Sequence, residues 1–165
     1  MPKDKSVTTL TVTPKASAKE NRKVVIAILQ AQLADSFDLY SQIKQAHWNV
    51  KGAEFIALHE LFDTVAATVL LATDTIAERI LQLGGEAAGT ARFVAKKSTL
   101  PEYPHLTADC KQHVKAVSTV LELYTTASRE AINSTDDLGD PVTADILTGI
   151  TRDIDKQLWF VSSHL

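Results

Sequence analysis

Five side chains of the kinds that bind transition metals recur at regular spacing in the first half of the chain. Two histidines and an aspartate stand in the segment AHWNVKGAEFIALHELFD, and an aspartate and a glutamate follow in TDTIAER; they are His47, His59, Asp63, Asp74 and Glu78. Imidazoles and carboxylates together form a ligand set of intermediate hardness, which suits Fe(II). The pattern therefore predicts an iron-binding site.

Four of these residues share one face of a single predicted helix, yet they cannot bind one metal ion within one chain. At about 100° per residue, His59, Asp63, Asp74 and Glu78 lie within an arc of about 100°. Asp63 and Asp74 are about 16 Å apart along the axis, whereas metal–ligand bonds measure about 2 Å. Two such helices packed antiparallel across a two-fold axis would instead form two identical sites. His47 would join the His59 end, and the apolar segment TVAATVLLA between the two ends suits this packing.

Each residue also has an ordinary interpretation. Asp63 and Glu78 could pair with Lys44 or Arg79 on a solvated helix face, and a histidine at a helix end is usually exposed or merely hydrogen-bonded. A di-iron site inside a bundle would need helical Glu-x-x-His pairs. The only match is EYPH, whose proline disfavours a helix.

Four long helices are predicted to position these ligands, at about residues 17–47, 54–83 and 107–133, and from residue 141 onward. Apolar residues recur at helical spacing in each. The start and stop signals are Ser17 with Glu20 as a capping box, the pair Gly84 and Gly85, Thr107 as an N-cap, and Asp140 as an N-cap before Pro141.

The connections between these helices predict the fold class. No alternating apolar run suggests a sheet, and two links are short, which implies antiparallel neighbours. Residues 84–106 are long enough to cross the full length of a helix, at about 3.3 Å per residue. We therefore predict an all-α, ferritin-like four-helix bundle with a long crossover between helices two and three.

Composition bounds the class of protein. With 165 residues, 45% of them apolar, the chain fits one globular domain, predicted at residues 17–165, after a mobile arm at residues 1–16. The single cysteine, Cys110, is expected to be a small core residue in a reducing compartment. The chain begins without an apolar signal region, and its central uncharged run is too short for a bilayer, which needs roughly 20 residues. We expect no membrane partner.

Three stretches resemble the Dps family, the DNA-binding proteins from starved cells: KQAHWNVKGAEFIALHELFD, TDTIAERILQLGGEAAGT and TADILTGITRDIDKQLWF. The resemblance covers about residues 21–165 and includes the helix order and the long crossover. It implies a hollow dodecamer in the cytoplasm and nucleoid, with two iron ions per ferroxidase site at each dimer interface. It also implies oxidation of Fe(II) by hydrogen peroxide, storage of ferric mineral, and in many members DNA binding without sequence preference.

Carried over by position, the resemblance assigns His47, His59 and Asp63 to one subunit's half of the site and Asp74 and Glu78 to its two-fold partner. The residues near the site are Lys44 and Arg79, which would orient carboxylates, and Trp48, which would have a redox role or simply pack. The segment DDLGDPVTAD matches the family's acidic pore, where Asp140 and Asp145 would attract Fe(II). Asp140 would also serve as an N-cap, which needs no pore.

The charge distribution is consistent with either a DNA-binding arm, as the resemblance implies, or a solubilising tail. Residues 1–23 contain six basic and two acidic side chains, so they carry +4, and the remaining residues carry −7 of the total of −3. The predicted DNA contacts of the arm are Lys3, Lys5, Lys15 and Lys19, although Lys19 could lie on the first helix. Two alternatives are a protein that mainly compacts the nucleoid, with secondary iron chemistry, and a structural helical oligomer with an inactive site.

Overall fold

The structure, a computed structural model, describes residues 18–105 and 109–165. Over these ranges the chain forms five α-helices and no strand, and an isolated bridge joins Lys51 to Asp109. The helices are α1 (Ala18–Asn49), α2 (Phe55–Gln82), α3 (Ala91–Lys97), α4 (Cys110–Asp137) and α5 (Pro141–Ser162). The all-α prediction is confirmed. The predicted arm and the cap at Ser17 lie outside the described residues.

The four long helices pack as two hairpins around one apolar core. α1 lies against α2, and α4 against α5, while α1 also contacts α4. The turn between α1 and α2 contains Gly52 at a φ of 129°, a backbone conformation that favours glycine. Side chains such as Phe62, Leu121 and Tyr124 are fully buried between the hairpins. Each hairpin thus fixes the end of one helix beside the start of the next.

Several predicted boundaries differ from those observed. α4 begins at Cys110, where the carboxylate of Asp109 caps it by accepting a hydrogen bond from the Lys111 amide; Thr107, the predicted cap, lies outside the described residues. α4 also continues past Asn133 to Asp137. Asp140 caps α5 as predicted, accepting from the Thr143 amide at 3.0 Å.

The crossover has regular structure of its own. It contains the short helix α3, which the sequence analysis did not predict, and polar side chains of α1 hold it along its length. The hydrogen-bonded pairs are Gln30–Ala88, Asp35–Thr99, Asp38–Ser98 and Gln42–Pro101. These contacts lie 58 to 64 residues apart in sequence, so a local pattern could not reveal them.

Helix α2 has two apolar faces. By length and composition it could cross a membrane, a criterion that the core helix of a bundle also meets. Its buried face includes Leu58, Phe62 and Val69, which pack into the core. Leu70 and Leu71 are 46% and 72% exposed on the opposite side. The bundle therefore leaves a second apolar face of α2 uncovered.

Candidate metal centre

The end of α1 and the start of α2 bring two imidazoles into contact. The rings of His47 and His59 are stacked, with their centroids 3.8 Å apart. The Nδ1 atom of His47 lies 2.8 Å from the backbone oxygen of His59, and the Nδ1 atom of His59 lies 2.8 Å from the backbone oxygen of His47. The α1–α2 turn thus holds both rings in a fixed orientation.

This reciprocal bonding determines which nitrogen of each ring is available. A carbonyl oxygen can only accept a hydrogen bond, so each Nδ1 carries a proton. In the neutral imidazoles of His47 and His59, Nε2 is then the atom with a free lone pair. A hydrogen bond that fixes the tautomer in this way is the usual support for a metal-binding histidine. Two ring nitrogens are therefore preset as candidate metal ligands.

Asp63 lies one helical turn after His59 and pairs with a lysine of α1. The Lys44 ammonium is 2.6 Å from Asp63 Oδ1. This hydrogen bond is the main cause of a lowered Asp63 pKa. Desolvation is the next largest effect and raises the pKa, while Coulombic effects of Lys44, His47 and His59 lower it further. The carboxylate is 60% exposed. Asp63 is thus an ionised candidate ligand with one oxygen held by Lys44.

The other two predicted ligands lie near the far end of the same helix. Asp74 and Glu78 are both exposed, and at about 100° per residue Leu70 falls on the ligand face between Asp63 and Asp74. An apolar groove of about 490 Å³, lined in part by Phe37 and Leu71, adjoins Asp74. Among the described residues of one chain, no group of three potential ligands is close enough to bind a metal ion.

Two aromatic side chains flank the histidine pair. The Phe55 ring lies 5.1 Å from the ring of His59, a contact that the sequence analysis missed although Phe55 precedes His59 by one turn. Trp48 is 67% exposed, so within one chain it is not a packing residue. Its redox role remains a prediction.

Arg79 does not contact a predicted ligand within the described chain. Its guanidinium donates to the Asp140 carboxylate at 3.0 Å and to the Thr143 hydroxyl at 2.9 Å. Burial raises the pKa of Asp140, but hydrogen bonds from Thr143 and Arg79 and the Arg79 charge outweigh it, so the pKa is lowered overall. Within one chain Arg79 thus clamps α2 to α5, and its role in orienting a ligand carboxylate stays a prediction.

The contact between Arg79 and Asp140 also limits the part that Asp140 could play in the predicted pore. Asp140 is largely covered, with 18% of its side chain exposed, and its oxygens already accept bonds from Thr143 and Arg79. Asp145, one turn into α5, is exposed. Of the two acidic residues, Asp145 is the one that faces solvent freely.

Comparisons with known proteins agree with this architecture. The family described as the ferritin-like domain matches residues 26–165. The chain is 43% identical over 144 residues to the DNA protection during starvation protein of Agrobacterium fabrum, covering 87% of this chain and 89% of that protein. It is 34% identical over 141 residues to the protein of the same name from Mycolicibacterium smegmatis, covering 86% and 76%. It superposes with a TM-score of 0.85 on DpsC from Streptomyces coelicolor, at 34% identity, covering 94% and 91%.

Proposed function

Because the chain belongs to the Dps family of ferritin-like proteins, we propose that it oxidises Fe(II) with hydrogen peroxide and stores the ferric product inside a hollow dodecamer. Iron storage and DNA protection during starvation are the functions of that family. The observation that carries the proposal is the divided ligand set on the exposed face of α2. Two preset imidazoles and a carboxylate lie at one end, and two carboxylates lie at the other.

In the proposed site, two subunits each supply half of the ligands. His47 and His59 bind through Nε2, Asp63 binds through the oxygen that Lys44 leaves free, and the partner's Asp74 and the partner's Glu78 complete the set. The uncovered Leu70 and Leu71 favour antiparallel packing of two α2 helices. Iron is a substrate here, and two ions per site are proposed.

The proposed reaction is balanced by pairing two ions with one peroxide. Each Fe(II) gives up one electron. Hydrogen peroxide accepts the two electrons, its O–O bond breaks, and two protons convert the products to two water molecules. Because both electrons are taken at one site, hydroxyl radical is not released. The side chains bind and orient the metal, and the metal carries the redox step.

Access of Fe(II) to the cavity is proposed to use the acidic start of α5. Carboxylates in a confined pore raise the local cation concentration and the rate of capture. Exposed Asp145 is assigned the main role, and Asp140 adds its charge while also capping the helix.

A second part of the proposal concerns DNA, and it places the protein in the cytoplasm and at the nucleoid. The contacts of the arm would be Lys3, Lys5 and Lys15, and Lys19 would add to them from the first turn of α1. These cations would bind phosphates without reading bases. Many copies on one cage would act together by avidity. Deleting residues 2–16 should weaken retardation of plasmid DNA in a gel while iron oxidation continues. The alternative, a protein that chiefly compacts DNA, predicts normal retardation with negligible iron oxidation.

The shared site is tested by mixing defective subunits. Subunits carrying His59→Ala and subunits carrying Glu78→Ala should each be inactive, but a mixed two-fold pair contains one intact site. Random reassembly should therefore restore about a quarter of wild-type peroxide-driven oxidation.

The matched control mixes His59→Ala with Asp63→Ala, which damage the same half of the site. That pair leaves no intact site and should restore nothing. Recovery in neither mixture, when mass spectrometry verifies mixed dimers, would refute the shared site.

A further inference from the structure

We infer that the crossover helix α3 presents a fixed cationic surface that binds the phosphate backbone of double-stranded DNA, independently of the arm. We call Arg92, Lys96 and Lys97 the α3 surface. The inference rests on the proposed DNA-binding function and assigns it a structured site.

The α3 surface is a positive region on an otherwise acidic body. Residues 87–101 contain these three basic side chains and no acidic one. Residues 24–165 carry −7, so without these three cations they would carry −10. All three side chains are exposed, and none takes part in the ion pairs found among residues 18–105 and 109–165. Their charge is therefore available to an anionic partner.

Contacts with the rest of the subunit hold the α3 surface in place. Val94, on the opposite side of α3, is 5% exposed. Asp38 accepts a hydrogen bond from the Ser98 hydroxyl at 2.6 Å, and Asp35 accepts two from Thr99. These two acidic residues of α1 are largely covered and are engaged with the crossover. A surface that is already ordered loses less conformational entropy when a ligand binds.

The chemistry of α3 fits phosphate better than bases. Arg92 and Lys96 are one turn apart on the same side of the helix, about 6 Å along the axis, so they can contact neighbouring phosphates of one strand. Ala91 and Ala95, the exposed residues that precede each of them, have no group that could read a base edge. Clustered exposed cations are the electrostatic footprint of nucleic-acid binding, and here they lie between the exposed carboxylates of Glu86 and Glu102. Binding should therefore be independent of sequence and sensitive to salt.

The test compares two full-length triple variants that lose the same charge. One is Arg92→Gln, Lys96→Gln, Lys97→Gln. The control is Lys51→Gln, Lys111→Gln, Lys115→Gln, three exposed lysines in the neighbourhood of Asp109. Retardation of linear plasmid DNA is measured from low to high NaCl. The α3 variant should bind about tenfold or more weakly at low salt and show a shallower salt dependence, while the control behaves as wild type.

The inference is wrong if the two triple variants bind DNA with equal affinity, or if the wild-type cage fails to retard DNA. It is also wrong if deleting residues 2–16 abolishes DNA retardation while the α3 substitutions have no effect. The last outcome leaves the arm as the DNA site. Binding that survives the deletion and disappears with the α3 substitutions supports the inference. Iron oxidation, measured on each preparation, reports separately on the ferroxidase site.

Discussion

His47 and His59 hold each other's backbone, with each Nδ1 lying 2.8 Å from the other's carbonyl oxygen. The two contacts close the end of α1 onto the start of α2. They also leave both Nε2 atoms free to bind a metal ion. The same two hydrogen bonds thus stabilise the hairpin and preset the proposed metal site.

This arrangement predicts that the structural and metal-binding roles of His47 can be separated. In His47→Asn, the amide nitrogen can take the place of Nδ1, but nothing replaces Nε2. The metal-free melting temperature should change little, and iron oxidation should be lost. His47→Ala should also lose a hydrogen bond worth about 1 kcal/mol, which lowers the melting temperature by about 2–4 °C. Equal melting temperatures for the two variants would contradict the structural role.

The contact between Lys44 and Asp63 predicts that lysine competes with iron. Because the ammonium holds one oxygen of Asp63, Lys44→Met should free it and tighten anaerobic Fe(II) binding. An exposed ion pair is a weak interaction, so the gain should be about fivefold or less. Lys115→Met, on an exposed part of α4, is the control. Weaker binding in the Lys44 variant would show that the lysine supports the site.

The start of α5 predicts unequal roles for its two aspartates. Asp145→Asn should slow iron uptake at low ionic strength, and the effect should fade in salt, because exposed charges are screened over about 10 Å at 0.1 M. Asp140→Ala should instead lower stability by about 1 kcal/mol through the lost cap. Stopped-flow uptake and thermal melting separate the two effects. An Asp145 variant with unchanged uptake at low salt would argue against a pore at this position.

A buried histidine predicts acid sensitivity. His113 is 1% exposed, and its Nδ1 is hydrogen-bonded to the Tyr103 hydroxyl, 2.6 Å away. Burial lowers the pKa of His113 below its ordinary value of 6.5, against an opposing effect of the nearby Asp109 charge. As pH falls below about 6.5, the unfolded chain takes up a proton that the folded chain resists, so the free energy of unfolding decreases by up to about 1.4 kcal/mol per pH unit.

The test of this sensitivity uses His113→Asn, whose amide can still form a hydrogen bond with Tyr103 but does not titrate. The melting temperature of the wild type, relative to that of the variant, should fall between pH 7.5 and 5.5. Parallel curves for the two proteins would mean that His113 does not control acid stability.

Much of the architecture follows from local patterns. The helical periods and the cap at Asp140 depend on neighbours within a few residues, so four long helices and the fold class could be predicted. Helix α3 was missed because its seven residues contain a weak apolar pattern, and it is held by contacts with Asp35 and Asp38 on α1. Boundaries such as the start of α4 were displaced for a similar reason, since more than one residue near it could act as a cap.

The sequence by itself determined which side chains could bind iron and why one chain was not enough, because helix geometry separates Asp63 from Asp74 by about 16 Å. Only the tertiary structure decided which hydrogen-bond partners those side chains and their neighbours have. The free nitrogen of each histidine depends on a carbonyl oxygen twelve residues away, and Arg79 was drawn to Asp140, 61 residues away. Residue types and spacing are local properties of a chain, whereas hydrogen-bond partners are settled by which helices pack together.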